Sequence, residues 1–66
     1  GMFFELEKIK LVELNKIAGD RASAASAFDS ALSYYEIGNR LLPADSWEKY
    51  YELTFCLNLK IIWHIA

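Results

Sequence analysis

The side chains best suited to chemistry lie near the end of the chain. His64 carries an imidazole, which serves as a metal ligand or general base, and Cys56 carries a nucleophilic thiol. His64 is the only histidine, and an imidazole without partner ligands is typical of an ordinary helix-surface residue. Glu52, in the turn before Cys56, offers no positive charge to stabilise a thiolate. A half-buried structural cysteine therefore stays as good an interpretation as a reactive one.

Two further motifs carry polar groups that could act together. Glu48 and Glu52 could be paired carboxylates for acid–base work, but their i, i+4 spacing favours a solvated helix face. The segment "GDRASAAS", from Gly19 to Ser26, has a single glycine and lacks the Gly-Lys-Ser ending of a phosphate-binding loop. The sequence therefore predicts no catalytic residue, cofactor or metal site, and no enzyme.

The chain is short for the number of hydrophobic residues that it contains. A chain of 66 residues forms one small domain, which buries roughly 60% of the surface that the unfolded chain exposes. Hydrophobic residues make up 55% of the sequence. We expect the surplus apolar surface to meet another copy, another domain or another part of a parent protein, so that the isolated chain is a homo-oligomer.

Charge and cysteine content exclude several classes of partner. The net charge is −2 and the seven Lys and Arg residues are scattered, which argues against nucleic acid. The single cysteine excludes an internal disulfide and favours a reducing, cytoplasmic location. The apolar run "LTFCLNLKIIWHIA" is interrupted by Asn58, Lys60 and His64 and is shorter than the about 20 residues that a membrane span needs.

The two ends of the sequence suggest a piece of a longer protein. Gly1 before Met2 is typical of the scar left by a cleaved purification tag, and no signal peptide follows it. The final "LKIIWHIA" ends without a capping glycine, a proline or a basic last turn. We expect a fragment of a helical array.

Hydrophobic periodicity predicts an all-α fold of three helices, at about residues 3–18, 21–42 and 46–65. Gly19, followed by Asp20, is the predicted stop of the first helix, because glycine tolerates left-handed backbone geometry. Pro43 ends the second. The predicted core face of the first helix is apolar, and its members are Phe4, Leu11, Leu14 and Ala18.

Each of the other two helices carries a candidate contact surface. The second has small and aromatic residues alternating at steps of four and three, which predicts close packing against a neighbouring helix. This close-packing stripe comprises Ala24, Phe28, Ala31, Tyr35 and Gly38. The third has one narrow polar stripe, predicted to be solvated, made of Glu48, Glu52, Cys56, Lys60 and His64. The rest of that helix is apolar and supplies the candidate interface residues Trp47, Tyr50, Phe55, Leu59, Ile62 and Trp63.

The order of elements resembles the tetratricopeptide motif, in which two helices flank a turn and alanines and aromatics recur at fixed offsets. Gly19-Asp20, Ala24, Phe28 and Ala31 match that order, and Trp47 resembles the start of the next repeat. The resemblance implies one helical hairpin plus the first helix of the following unit, within an α-solenoid. The predicted second helix is longer than a standard repeat permits, and the first lacks the usual tryptophan.

A more specific resemblance spans most of the chain. The pattern "LxxLNxxAGxxAxxxxAFxxALxYYxxGxxLLPxDSWExxYELTFxLxL" is similar to the helical-repeat region of large bacterial signalling proteins. Those proteins join a serine/threonine kinase-like domain and an AAA-type ATPase module to sensory and histidine-kinase domains. The matching positions are Leu14, Asn15, Ala18, Gly19, Ala22, Ala27, Tyr34, Gly38, Leu41, Leu42, Trp47, Tyr51, Glu52, Leu53 and Leu57. The resemblance implies packing roles for all of them, and the kinase and ATPase chemistry lies outside this chain.

The sequence therefore predicts a non-catalytic connector or protein-interaction module of a signalling protein. The alternative is a peptide-binding adaptor that recruits a separate partner through a concave groove, for which Asn15, Lys16 and Arg21 are the candidate polar contacts. For the connector we expect self-association through a two-fold contact in which Leu59, Ile62 and Trp63 meet their equivalents.

Overall fold

In a computed structural model, the backbone of residues 2–65 and the side chains of residues 4–65 are described. The described chain is all-helical and contains no strand, which confirms the predicted all-α class. It has four helices rather than three: α1 (Met2–Ala24), α2 (Phe28–Leu41), α3 (Ser46–Lys49) and α4 (Tyr51–Ile65). Helices α1 and α2 form a hairpin, and α4 packs against α2.

Helix α1 continues through Gly19 and Asp20, so the predicted stop at Gly19 is wrong. Gly19 is buried inside the helix and faces the ring of Tyr35 on α2. A Cβ at position 19 would lie 2.7 Å from Cδ1 of Tyr35, which is closer than van der Waals contact allows. The glycine is therefore explained by the close approach of an aromatic ring, and the helix passes through it.

The turn between α1 and α2 lies at residues 25–27. Ser26 has a φ of 62°, the left-handed conformation that often follows a helix end. The N–H of Ala27 donates to the carbonyl of Ala22 at 2.8 Å, and the N–H of Ser26 donates to Ser23 at 3.0 Å. These two bonds are those of a Schellman motif, with serine where glycine is usual. The motif ends α1 six residues beyond the predicted Ala18.

The core face of α1 is not the predicted one. Ile9 and Val12 are buried, whereas Phe4, Leu11 and Leu14 are exposed. The buried face is the one that α2 approaches closely: a Cβ on Gly38 would lie 3.5 Å from the carbonyl oxygen of Val12, and the ring of Tyr35 lies against Gly19. Bulky residues at the same level could not let the backbones come so near.

The buried core lies between the hairpin and α4. Its fully buried members are Val12, Ala31, Tyr35 and Leu57. Partly buried side chains surround them, namely Ala22, Leu41, Leu42, Leu53 and Ile61. Of the close-packing stripe, Ala31, Tyr35 and Gly38 are buried. Ala24 and Phe28 are exposed, and Ala24 belongs to α1 rather than to α2.

The predicted third helix is broken at Tyr50, which has a φ of −131° and a ψ of 49°. Its hydroxyl donates to Oε2 of Glu5 on α1 at 3.3 Å. Lys49, beside it, forms an ion pair with Asp45 at 3.2 Å and a longer one with Glu5 at 3.9 Å. The break thus accompanies a set of polar contacts that fasten the start of α4 to the first turns of α1.

Candidate functional site

The exposed side of α3 and α4 is apolar, and two of its residues, Leu59 and Trp63, also border a cleft that α4 shares with α1 and α2. We call it the outer face and define it by Trp47, Tyr51, Phe55, Leu59, Ile62 and Trp63. Their exposed fractions run from 47% for Phe55 to 80% for Trp63. Five of the six candidate interface residues lie on this face; Tyr50 is half-buried beside Glu5 instead, and Tyr51 occupies the outer face.

Three aromatic rings of the outer face, those of Trp47, Tyr51 and Phe55, form a ladder in which each ring contacts the next. Trp47 and Tyr51 meet edge to face with ring centroids 5.8 Å apart. Tyr51 and Phe55 stack with centroids 5.9 Å apart and an angle of 19° between the planes. Such contacts stabilise aromatic pairs by about 0.5–1.5 kcal/mol beyond the burial of their area. The ladder therefore holds large apolar side chains in fixed positions at the surface.

The opposite side of α4 packs against the hairpin. Leu57 and Thr54 are fully buried there, and Leu53 and Ile61 are partly buried. Thr54 Oγ1 has no hydrogen-bond partner among the described residues. Helix α4 thus has two apolar sides, one of which forms the core while the other is open to solvent.

A polar cluster ties the three longer helices together at the carboxylate of Asp20. The hydroxyl of Tyr35 on α2 and Nζ of Lys60 on α4 each donate to Oδ1 at 2.6 Å. Nζ of Lys16 donates to Oδ2 at 3.3 Å. Partial burial alone would raise the pKa of Asp20, but hydrogen bonds from Lys60, Tyr35 and Lys16 outweigh it and lower the pKa to about 2. Burial, with the bond to Asp20 and its charge, raises the pKa of Tyr35 well above its usual value.

His64 joins the same region to Ser23 on α1. Its Nδ1 lies 2.7 Å from the carbonyl oxygen of Lys60, and its Nε2 lies 3.2 Å from Oγ of Ser23. Because a carbonyl only accepts, Nδ1 carries the hydrogen, and Nε2 of a neutral ring accepts from the serine hydroxyl. The imidazole also packs edge-on to Tyr35, with centroids 5.3 Å apart.

The predicted solvated stripe is therefore split. Glu48 and Glu52 are exposed as expected, and Cys56 is a half-buried free thiol. Lys60 and His64 lie against the hairpin instead, so their assignment to a solvated stripe is wrong. Asp20 and Ser23, which hold them, were not singled out as site residues in the sequence. These contacts span 40 and 41 residues, and no local pattern encodes them.

Ser23 and His64 have the arrangement of a nucleophile and its general base, beside an open cleft of about 760 Å³. Acyl transfer also needs donors for a developing oxyanion. The nearby N–H groups of Ala25, Ser26 and Ala27 are all bonded to carbonyls at the end of α1. The turn next to Ser23 therefore supplies no free backbone donor, and the pair fastens α4 to α1.

The polar residues suggested for a peptide groove do not converge on one. Asn15 donates to the carbonyl of Leu11 at 2.9 Å, and Lys16 is held by Asp20. Arg21 is exposed on α1. Within the described residues, His, Cys, Asp and Glu side chains nowhere gather in threes as a metal site would require. Over the same part of the chain, every helix is too short or too polar to cross a membrane.

Comparison of the chain with protein-family models, with curated proteins and with solved structures gives no match.

Proposed function

We propose that this chain is a non-catalytic helical interaction module, a connector within a cytoplasmic signalling protein, and that it docks through the outer face of α3 and α4. The observation that carries the proposal is the two-sided character of α4. Leu57 is fully buried on one side, while Leu59, two residues later, is 54% exposed on the other. A helix with two apolar sides packs on two neighbours, and this chain supplies one of them.

The composition of the outer face supports protein docking. Tryptophan, tyrosine and phenylalanine are enriched at the centres of protein interfaces, and they supply most of this face. Exposed apolar patches larger than a few hundred Å² on a folded chain generally mark interaction sites. The six residues that define the face are uncharged, and the exposed Glu52 lies next to them, one turn before Phe55.

The polar contacts of α4 are consistent with a connector that holds neighbouring domains in a fixed relative orientation. Asp20 binds Lys60 in the second half of α4, and Glu5 binds Tyr50 just before its start. Helix α4 is thereby fixed to the hairpin near both of its ends. These contacts hold the outer face in one orientation relative to α1. A spacing or coupling element between domains requires such a fixed orientation.

The tetratricopeptide-like arrangement stays part of this proposal in a modified register. In that register the turn at residues 25–27 would be the turn within a repeat unit, in place of the one predicted at Gly19.

The test compares a double substitution on the outer face with a single substitution in the core, at protein concentrations low enough for the chain to be monomeric. Replacing Phe55 and Leu59 by serine should lower the unfolding free energy by about 1–2 kcal/mol, because both side chains are about half exposed and the main loss is the stacking of Phe55 on Tyr51. Replacing Leu57 by alanine should cost about 2–5 kcal/mol, because it leaves a cavity in the core. Urea unfolding followed by circular dichroism measures both. Equal losses would place the outer face in the core of the single chain and would refute a docking role.

A further inference from the structure

We infer that the α4 part of the outer face, from Phe55 to Trp63, is covered by the same residues of a second copy of this chain, with the two α4 helices antiparallel and crossing at Leu59. The inference rests on the proposed docking role of that face and names its partner. It is drawn from the surface area of the chain, the spacing of the outer-face residues and the distribution of charge along α4.

The accessible surface is larger than a compact chain of this mass should have. The protein exposes 4808 Å², whereas a folded monomer of 7.6 kDa exposes about 4,300 Å² by the usual scaling with mass. A specific interface of about 1,000 Å² needs about 500 Å² from each copy, and the surplus surface of the chain is of that size. One further copy of the same chain is thus a large enough partner.

The outer face is suited to pairing with itself about a two-fold axis. Phe55, Leu59 and Trp63 follow one another at intervals of four residues along one row of α4. With a rise of about 1.5 Å per residue, Phe55 and Trp63 lie about 6 Å on either side of Leu59. In an antiparallel pair centred on Leu59, each Phe55 meets the partner's Trp63, and the two leucines meet each other. Such a contact is isologous and closed.

Charge along α4 selects the antiparallel direction. Glu48 and Glu52 are exposed near the start of α4, and residues 57–65 contain no acidic side chain. A parallel pair would set the two glutamates beside their own copies, which costs energy through repulsion of like charges. An antiparallel pair centred on Leu59 sets Glu52 opposite the end of the partner helix, away from both glutamates of the second copy. The two helix dipoles then also run in opposite directions.

Symmetric cross-linking tests the geometry. In a Cys56→Ser background, Leu59→Cys places a thiol at the proposed axis, and Tyr51→Cys places one eight residues away on the same face. Under mild oxidation the first should form a disulfide-linked dimer, because Cα atoms about 4.4–6.8 Å apart are bridged readily. The second should not, because its two copies would lie about 24 Å apart. Cross-linking at both positions would show a parallel pair and overturn the inference.

Sedimentation across a dilution series tests the association itself. The wild type should dissociate from dimer to monomer, and Leu59→Glu should weaken the dimer on the order of 100-fold, because both copies change at once. Glu7→Gln, on the exposed surface of α1, is the matched control and should leave the dissociation constant unchanged. A folded wild type that stays monomeric at every concentration would overturn the second copy as partner. It would leave the docking role intact if the variant with serine at Phe55 and Leu59 loses less stability than Leu57→Ala.

Discussion

Replacing Gly19 by alanine should destabilise the fold even though it improves the helix. Alanine favours a helix interior by about 0.8–1.0 kcal/mol relative to glycine. At this position, however, the new methyl group would overlap the buried ring of Tyr35. Overpacking of a closed core costs about 1–3 kcal/mol. Displacement of the ring also weakens the 2.6 Å hydrogen bond from the Tyr35 hydroxyl to Asp20, and a hydrogen bond to a charged acceptor contributes about 1.5–3 kcal/mol. We expect a net loss of about 2 kcal/mol once the helix gain is subtracted.

The same substitution in a Tyr35→Ala background separates the two explanations for the glycine. Without the ring, Gly19→Ala should stabilise the protein by about 1 kcal/mol, because only the helix preference is left. If Gly19 were the end of a helix in left-handed geometry, alanine would destabilise both backgrounds. Urea unfolding of the four proteins, followed by circular dichroism, gives the double-mutant cycle. A loss in both backgrounds would refute a continuous α1.

Three further predictions concern single positions. Ser26→Gly should stabilise the protein by about 0.5–1 kcal/mol, because glycine adopts the left-handed conformation of this turn without strain. The shift of the urea unfolding midpoint measures this gain, and an unchanged midpoint would contradict the turn at residues 25–27. Thr54→Val should raise the unfolding free energy by about 1 kcal/mol, because it removes a buried hydroxyl that has no hydrogen-bond partner among the described residues. A lower thermal midpoint would show that the hydroxyl is hydrogen-bonded in the folded protein. Because the folded state lowers the pKa of Asp20 from 3.8 to about 2, its ionised form contributes stability that is present above pH 3.8 and is lost as the pH falls towards 2. Asp20→Asn should flatten the stability profile over that interval, and an unchanged profile would contradict the polar cluster.

Helix content and the apolar character of the outer face could be predicted from the sequence because both depend on residues a few positions apart. The period of the third segment placed Phe55, Leu59 and Trp63 on one row without reference to the rest of the fold. Their exposure was not predictable in the same way, since it depends on which side of α4 meets the hairpin.

The end of α1 could not be predicted, because glycine has two uses that look alike in a sequence. It ends helices through left-handed geometry, and it also allows close approach of another element. Only the position of Tyr35, 16 residues later, shows that the second use applies to Gly19. The real turn is harder to find, since Ser26 adopts a conformation that its residue type seldom takes.

The polar cluster was missed for a similar reason. Lys60 and His64 share a row with Glu52 and Cys56, which makes a solvated stripe the simplest interpretation of helical period. Their partners Asp20 and Ser23 lie on α1, and the pairing exists only after α4 has packed on the hairpin. Likewise, the break at Tyr50 has no proline or glycine beside it and accompanies a contact to Glu5.

The central claim is that the outer face is open in a single folded chain and closed when a partner docks. Trp63 lies on the part of the face that the second copy covers and is 80% exposed in a single chain, so its fluorescence, measured in a Trp47→Phe background, reports on that surface directly. Acrylamide quenching should be measured across a dilution series, with the Leu59→Glu variant as the monomeric reference. The account predicts strong quenching in the variant and in dilute wild type, falling as the wild-type concentration rises. Weak quenching in the folded variant, at every concentration, would show that the face is buried within one chain and would contradict the account.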